Sequence, residues 1–166
     1  MRDSIIRSTR TTCRVTFGFW CIWALVFVLR VLRYCGIISF NIYMGIDVVP
    51  VTWVDDAGQQ VAQWIELVGY VLTSALVLWL SFLFIRRTMT GLTSGEVFTR
   101  SNVRALKWMV PLVFFNVFFT DNLLIIYGQM QLYIGATPFV ASMLTLIVAM
   151  LYSLAYSTQE ENRLTI

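Results

Sequence analysis

The sequence predicts an all-α polytopic membrane protein with four transmembrane helices and both termini in the cytoplasm, and three observations predict it. First, the 166 residues are 58% hydrophobic and only 13% charged, with a mean hydropathy of +0.75. An ordinary soluble domain is about 45–50% apolar and about 25% charged. So little charge cannot cover a soluble globule. Second, the apolar residues gather in four segments, at about 15–38, 61–85, 108–127 and 138–156. At about 1.5 Å per helical residue each reaches across a hydrocarbon core about 30 Å thick. Third, nine of the twelve basic residues lie in 1–14 and 86–107, and none lies in 39–60 or 128–137. Basic loops stay on the cytoplasmic side, which sets the orientation of a multi-pass membrane protein. The chain reads as one domain, 1–166.

The first element opens with Arg2, Arg7, Arg10 and Arg14 before an apolar run from Val15. Such a start also suits a signal peptide. No small-x-small site follows Leu29, however, and the chain continues Arg30-Val-Leu-Arg33-Tyr-Cys35-Gly36. A retained span is therefore expected. The outer loop 39–60 holds Asn41, Asp47, Pro50, Asp55 and Asp56 without Lys or Arg. Within it, 48–54 has strand composition broken by Pro50, and 55–58 reads as a turn. A hairpin that short would be ordered only against the helix tops.

The second span carries Glu66, then Gly69 and Thr73 on a related face, with Trp64 and Tyr70 suited to an outer aromatic belt. The polar connection 86–107 sets Arg86, Arg87, Arg100, Arg104 and Lys107 against Glu96. Within it, Thr99 reads as an N-cap, with Phe98 and Val103 as a hydrophobic staple. A third helix should then begin near Arg100, enter the bilayer at about Trp108 and end near Tyr127. It contains Pro111, Asn116, Asp121 and Asn122. In the last span Ala141, Thr145, Ala149 and Ser153 recur every fourth residue, a ridge that allows close helix approach. A polar cytoplasmic tail, 157–166, closes the chain.

Catalytic chemistry finds little foothold. The chain has no histidine, the commonest general base and metal ligand. Cys13, Cys21 and Cys35 lack metal-site spacing and read as membrane-facing or core thiols. Gly91-x-x-x-Gly95 has helix-dimer spacing but sits in the polar connection, so it reads as turn glycines. No phosphate-binding Gly-Lys loop occurs, and Ser94 and Thr99 have no histidine partner. Phe114, Phe115, Phe118 and Phe119 fill both faces of the third helix and read as packing. A non-enzymatic protein without cofactor, metal site or direct nucleic-acid binding is expected.

One layer of ionisable groups stands out. Counted from the cytoplasmic ends of their spans, Arg30 lies about 22 Å up, Asp121 about 20 Å and Glu66 about 28 Å, with Arg33 one turn above Arg30. Charges inside a membrane are costly and face a bundle interior or a wet cavity. One reading is a polar pocket opening outward. The other has Arg30, Arg33 and Glu66 snorkelling to the interface while Asp121 pairs with an arginine, foremost Arg30.

Two motifs suggest a family. Gly95-x-x-Phe98-Thr99-x-x-Asn102-x-x-x-Leu106 and the ending Glu160-Glu161-Asn162-Arg163-Leu164-Thr165-Ile166 resemble signatures of a family of small four-span bacterial membrane proteins. That family is catalogued as a domain of unknown function, DUF twenty-nine seventy-five. Such proteins are often encoded beside a small helix-turn-helix regulator. The resemblance thus implies a regulatory membrane component whose partner is such a regulator or another cytosolic protein. Docking would use 86–107 and 157–166, both on the cytoplasmic face. The alternative class is a small transporter or immunity-type protein using the outer polar layer. Both allow lipid contact and a homo-oligomer.

Overall fold

The computed structural model describes residues 2–38, 50–94 and 98–164, with side chains placed for 7–38, 50–92 and 98–164. These residues form α1 (Arg2–Tyr34), α2 (Ala57–Ser94), α3 (Arg100–Asp121) and α4 (Thr137–Leu164), with a short 3-10 helix, Leu123–Tyr127, finishing α3. No strand occurs among the described residues. All four helices are long and apolar enough to cross a membrane.

Local chemistry explains where they start and stop. Asp56 Oδ1 accepts from Gln59 N at 2.9 Å and so caps α2. The expected turn at 55–58 is therefore a helix start, since a short acid satisfies the free amides of a first turn. Thr99 caps α3 as expected, its Oγ1 accepting from Asn102 N at 3.3 Å. Phe98 meets the Tyr152 ring of α4 edge-on at 5.0 Å. Two helices end on left-handed glycines, Gly36 at φ 71° and Gly128 at φ 81°. At the first, Gly36 N donates to Arg33 O at 2.9 Å and Ile37 N to Leu32 O at 2.9 Å. At the second, Gly128 N donates to Ile125 O at 3.0 Å and Gln129 N to Leu124 O at 3.2 Å. Both are the paired bonds that close a helix when the residue after it can adopt positive φ.

Two expected boundaries move. The connection 86–107 is helical at both ends, because α2 runs on to Ser94 and α3 begins at Arg100. Polarity ends a span but not a helix, and Arg, Met and Leu are good helix formers. Gly91 is accordingly buried inside α2 rather than in a turn, while Gly95 lies outside the described residues. The 38 residues of α2 extend about 57 Å, nearly twice a hydrocarbon core. The tail is likewise a continuation of α4 as far as Leu164. Most of the expected hairpin lies outside the described residues; 50–54 is irregular and lies on the helix tops, where Val51 N donates to Tyr34 O at 3.2 Å.

The helices pack in chain order, α1 on α2, α2 on α3, α3 on α4. No Cα of α1 comes within 8 Å of one of α3 or α4. Between α2 and α3 the Phe119 ring lies over Gly69, whose position leaves no room for a side-chain carbon. Between α3 and α4 the small ridge meets its neighbour: Ala149 is buried, and Ser142 Oγ donates to Val110 O at 3.3 Å. Trp20 Nε1 ties α1 to α2 by donating to Leu78 O at 3.0 Å. One hydrophobic cluster, Tyr34, Tyr70, Leu123 and Ile126, fills the end where α1 finishes and α2 begins, called the upper end below. Tyr70 is thus core rather than belt, because its face of α2 turns toward α1 and the 3-10 helix. Trp64 stays exposed and stacks on Trp53 at 4.4 Å.

Candidate functional site

Two polar assemblies interrupt the apolar interior, one at each end. At the lower end, Asn102 is fully buried, its Nδ2 donating to Thr88 Oγ1 at 3.2 Å and Tyr152 Oη at 3.1 Å. One amide thereby joins α2, α3 and α4. Tyr152 is held in turn by the rings of Phe84 at 5.5 Å and Phe98 at 5.0 Å. Leu106 is buried one turn farther along α3. The loop motif is therefore partly a joint between helices: Asn102 and Leu106 face inward, while Phe98 and Thr99 remain partly accessible.

The two motifs also converge. Phe98 and the distant Asn162 and Arg163 line one groove of about 630 Å³, floored by Leu151, Leu154 and Ala155. Glu161, Asn162 and Leu164 are exposed on the last turns of α4, and Glu160 pairs with Arg163 at 3.6 Å on the surface. Thr165 and Ile166 lie outside the described residues.

In the upper half, α1 and α3 both lean on α2 without reaching each other, and a cavity of about 200 Å³ lies between them. Its walls carry Arg30 from α1, Tyr70 and Ser74 from α2, and Asn116 and Thr120 from α3. Asn116 Nδ2 donates to Ser74 Oγ at 2.7 Å and to Thr73 Oγ1 at 3.4 Å. Thr73 and Thr120 donate into their own helices, to Gly69 O and Asn116 O, each at 2.7 Å. These groups satisfy one another. Arg30 makes no hydrogen bond or ion pair with any described residue.

The expected layer of charges is not assembled as a unit. Of Arg30, Arg33, Glu66 and Asp121, Arg30 alone lines this cavity. Arg30 and Asp121 form no salt bridge within 4.0 Å, because α1 and α3 stand on either side of a gap. Arg33 Nη1 donates to Ile38 O at 2.8 Å, closing the end of its own helix. Glu66 does not snorkel: it is 3% exposed, on the buried face of α2 between Gln63 and Tyr70, with Oε1 unpartnered. Asp121 is half-buried, and its Oδ2 has no hydrogen-bond partner.

Sequence reasoning missed the residues that hold this end together. Gln63 is fully buried, with Nε2 donating to Ile126 O at 2.9 Å and Thr52 O at 3.1 Å while Oε1 accepts from Val54 N at 3.2 Å. Asn122 finishes α3, with Nδ2 donating to Phe118 O and Tyr133 O at 2.8 and 2.9 Å and Oδ1 accepting from Tyr133 N at 2.6 Å. A signal existed: Gln63, Glu66, Tyr70 and Ser74 recur every three or four residues, one polar stripe on an apolar helix. Asn116 and Thr120 repeat that spacing on α3.

The fold and these interior polar groups define a multi-pass α-helical membrane protein. No protein-family model, curated protein or solved structure matches the chain.

Proposed function

We propose that this protein is a non-enzymatic component of the bacterial inner membrane that docks a cytosolic protein at the lower groove, with both ends of the chain on the cytoplasmic side. The convergence of Phe98 with Asn162 and Arg163 carries this reading: motifs distant in sequence line one groove. Its apolar floor and polar rim suit the apolar stripe of an amphipathic helix. Exposed Arg86, Arg100, Arg104 and Lys107 surround that end and favour an acidic partner face. A small helix-turn-helix regulator fits the resemblance of the two motifs. The joint at Asn102 would set the angle at which the groove is presented.

A photo-crosslinking residue at Thr158 should capture one cytosolic protein in cells. Ala155→Glu in the groove floor, or deletion of 160–166, should abolish capture at unchanged membrane levels. Arg30→Gln should leave it intact. Crosslinks to lipid alone would overturn the docking reading. Orientation is tested separately with single cysteines in a cysteine-free background. Cysteines at Asp55 and Gln131 should react with impermeant reagents in intact cells, and one at Thr93 should not. The reverse pattern would invert the topology.

A further inference from the structure

The cavity around Arg30 does not end at its polar walls. Trp23, Val26 and Arg30 also line a second, larger groove of about 630 Å³, which runs along α1 past Phe19 and Thr16 and is floored on α2 by Ser81 and Ile85. Trp23, Val26 and Arg30 line both spaces, so a polar pocket and a more apolar channel adjoin at Arg30. Thr16, Phe19, Trp23, Val26 and Arg30 are spaced every three or four residues, hence on one face of α1. From Thr16 to Arg30 is about 21 Å along the helix, more than the roughly 15 Å depth of one leaflet's hydrocarbon. The channel lies along a poorly covered helix, since the most apolar stretch of α1 has none of its residues buried.

We propose that this composite cleft binds an anionic membrane lipid, its head group on Arg30 and one acyl chain along Val26, Trp23 and Phe19. An arginine inside a span ordinarily finds a carboxylate, a carbonyl or the interface. Here Arg30 has no bonded partner among the described residues, and the groups across the cavity are an amide and hydroxyls. Such walls accept and donate hydrogen bonds but supply no negative charge, so the complementary charge belongs to the occupant. A guanidinium also fits phosphate oxygens two at a time. A small soluble anion would fill the polar pocket and leave the adjoining channel without a role, whereas a lipid uses both. The direction agrees as well: Arg30 sits one turn below the upper end of α1, and the channel runs from it toward mid-membrane, as a chain hangs from its head group. This site is separate from the docking groove, which lies at the opposite end of the helices.

The test uses the full chain in phosphatidylcholine nanodiscs and tryptophan quenching by lipids brominated on the acyl chain. Brominated phosphatidylglycerol should quench in preference to brominated phosphatidylcholine, and Trp23→Phe should reduce the excess, with Trp20 on the same groove carrying the remainder. Arg30→Gln should lower the preference about tenfold, the factor expected of one charge-assisted hydrogen bond. Arg30→Lys should keep most of it, and Val26→Phe, which narrows the shared wall, should reduce it. Arg163→Gln, at the far end, should change nothing. Equal quenching by the two lipids in the unaltered chain would overturn the proposal, as would full preference in Arg30→Gln or competition by inorganic phosphate alone. Should Arg30→Gln fail to fold, the other variants decide: undiminished preference in both Val26→Phe and Trp23→Phe would overturn it too.

Discussion

The two polar regions of this protein are built from similar residues and end in opposite states. Around Asn102, one amide, a threonine hydroxyl and a tyrosine hydroxyl meet where α2, α3 and α4 converge. The helices close over them, and aromatic rings seal the joint. Around Asn116 an amide again meets hydroxyls, from Ser74 and Thr73, but the third helix brings a cation. At the joint the Asn102 Nδ2 is satisfied, though its buried Oδ1 has no partner, and such neutral bonds draw helices together in a medium that offers no water. A guanidinium facing an amide and hydroxyls remains a desolvated charge, and it is better accommodated beside a gap than in a sealed contact. The lower region is therefore a joint and the upper one a cleft. What differs is charge balance, not polarity.

That contrast can be broken most directly at the joint. Asn102→Leu removes the amide that bonds two hydroxyl groups at a buried three-helix contact, so it should cost about 2–3 kcal/mol. Reversible unfolding in mixed micelles would measure it; a loss under about 0.5 kcal/mol would mean that the helices do not depend on this amide. Tyr152→Phe should cost less, about 1 kcal/mol, because one bond is lost while the ring keeps its contacts with Phe84 and Phe98. A double-mutant cycle between Asn102 and Tyr152 should recover a coupling of about 0.5–1 kcal/mol, the size found for hydrogen bonds between membrane helices.

The cleft should give the smallest response. Arg30→Gln takes away a charge that no described protein group balances, so stability in neutral detergent should change by less than about 0.5 kcal/mol or rise slightly. In the same cycle format Arg30 and Asp121 should show no coupling. A destabilisation above about 1 kcal/mol, or clear coupling to Asp121, would mean that the two regions are alike after all, each held by partners within the protein.

Much of the architecture was legible because it is set locally. Hydropathy marks the spans wherever they sit in the fold, since each must satisfy its own backbone in lipid. The Thr99 cap marks the start of α3 for an equally local reason, a side-chain oxygen within reach of a free amide three residues on. The polar stretch 86–94 marks a change of solvent and not a change of backbone, and α2 continues through it. The candidate site was legible in one dimension only. Counting residues along each span gives Arg30, Glu66 and Asp121 an expected depth, but depth says nothing of which way a side chain faces. Each residue turns about 100° around its helix, so a shared depth leaves the partners open. Tertiary packing decided them: α1 and α3 both rest on α2 and stand apart, which gives Arg30 the company of Ser74, Asn116 and Thr120 and leaves Asp121 elsewhere. The sequence by itself determined how many membrane-spanning helices there are and, at Thr99, where one of them begins, because hydropathy and capping act within a few residues. Only the tertiary structure decided which polar groups close a joint and which line a cleft, because that depends on helix rotation and neighbour order.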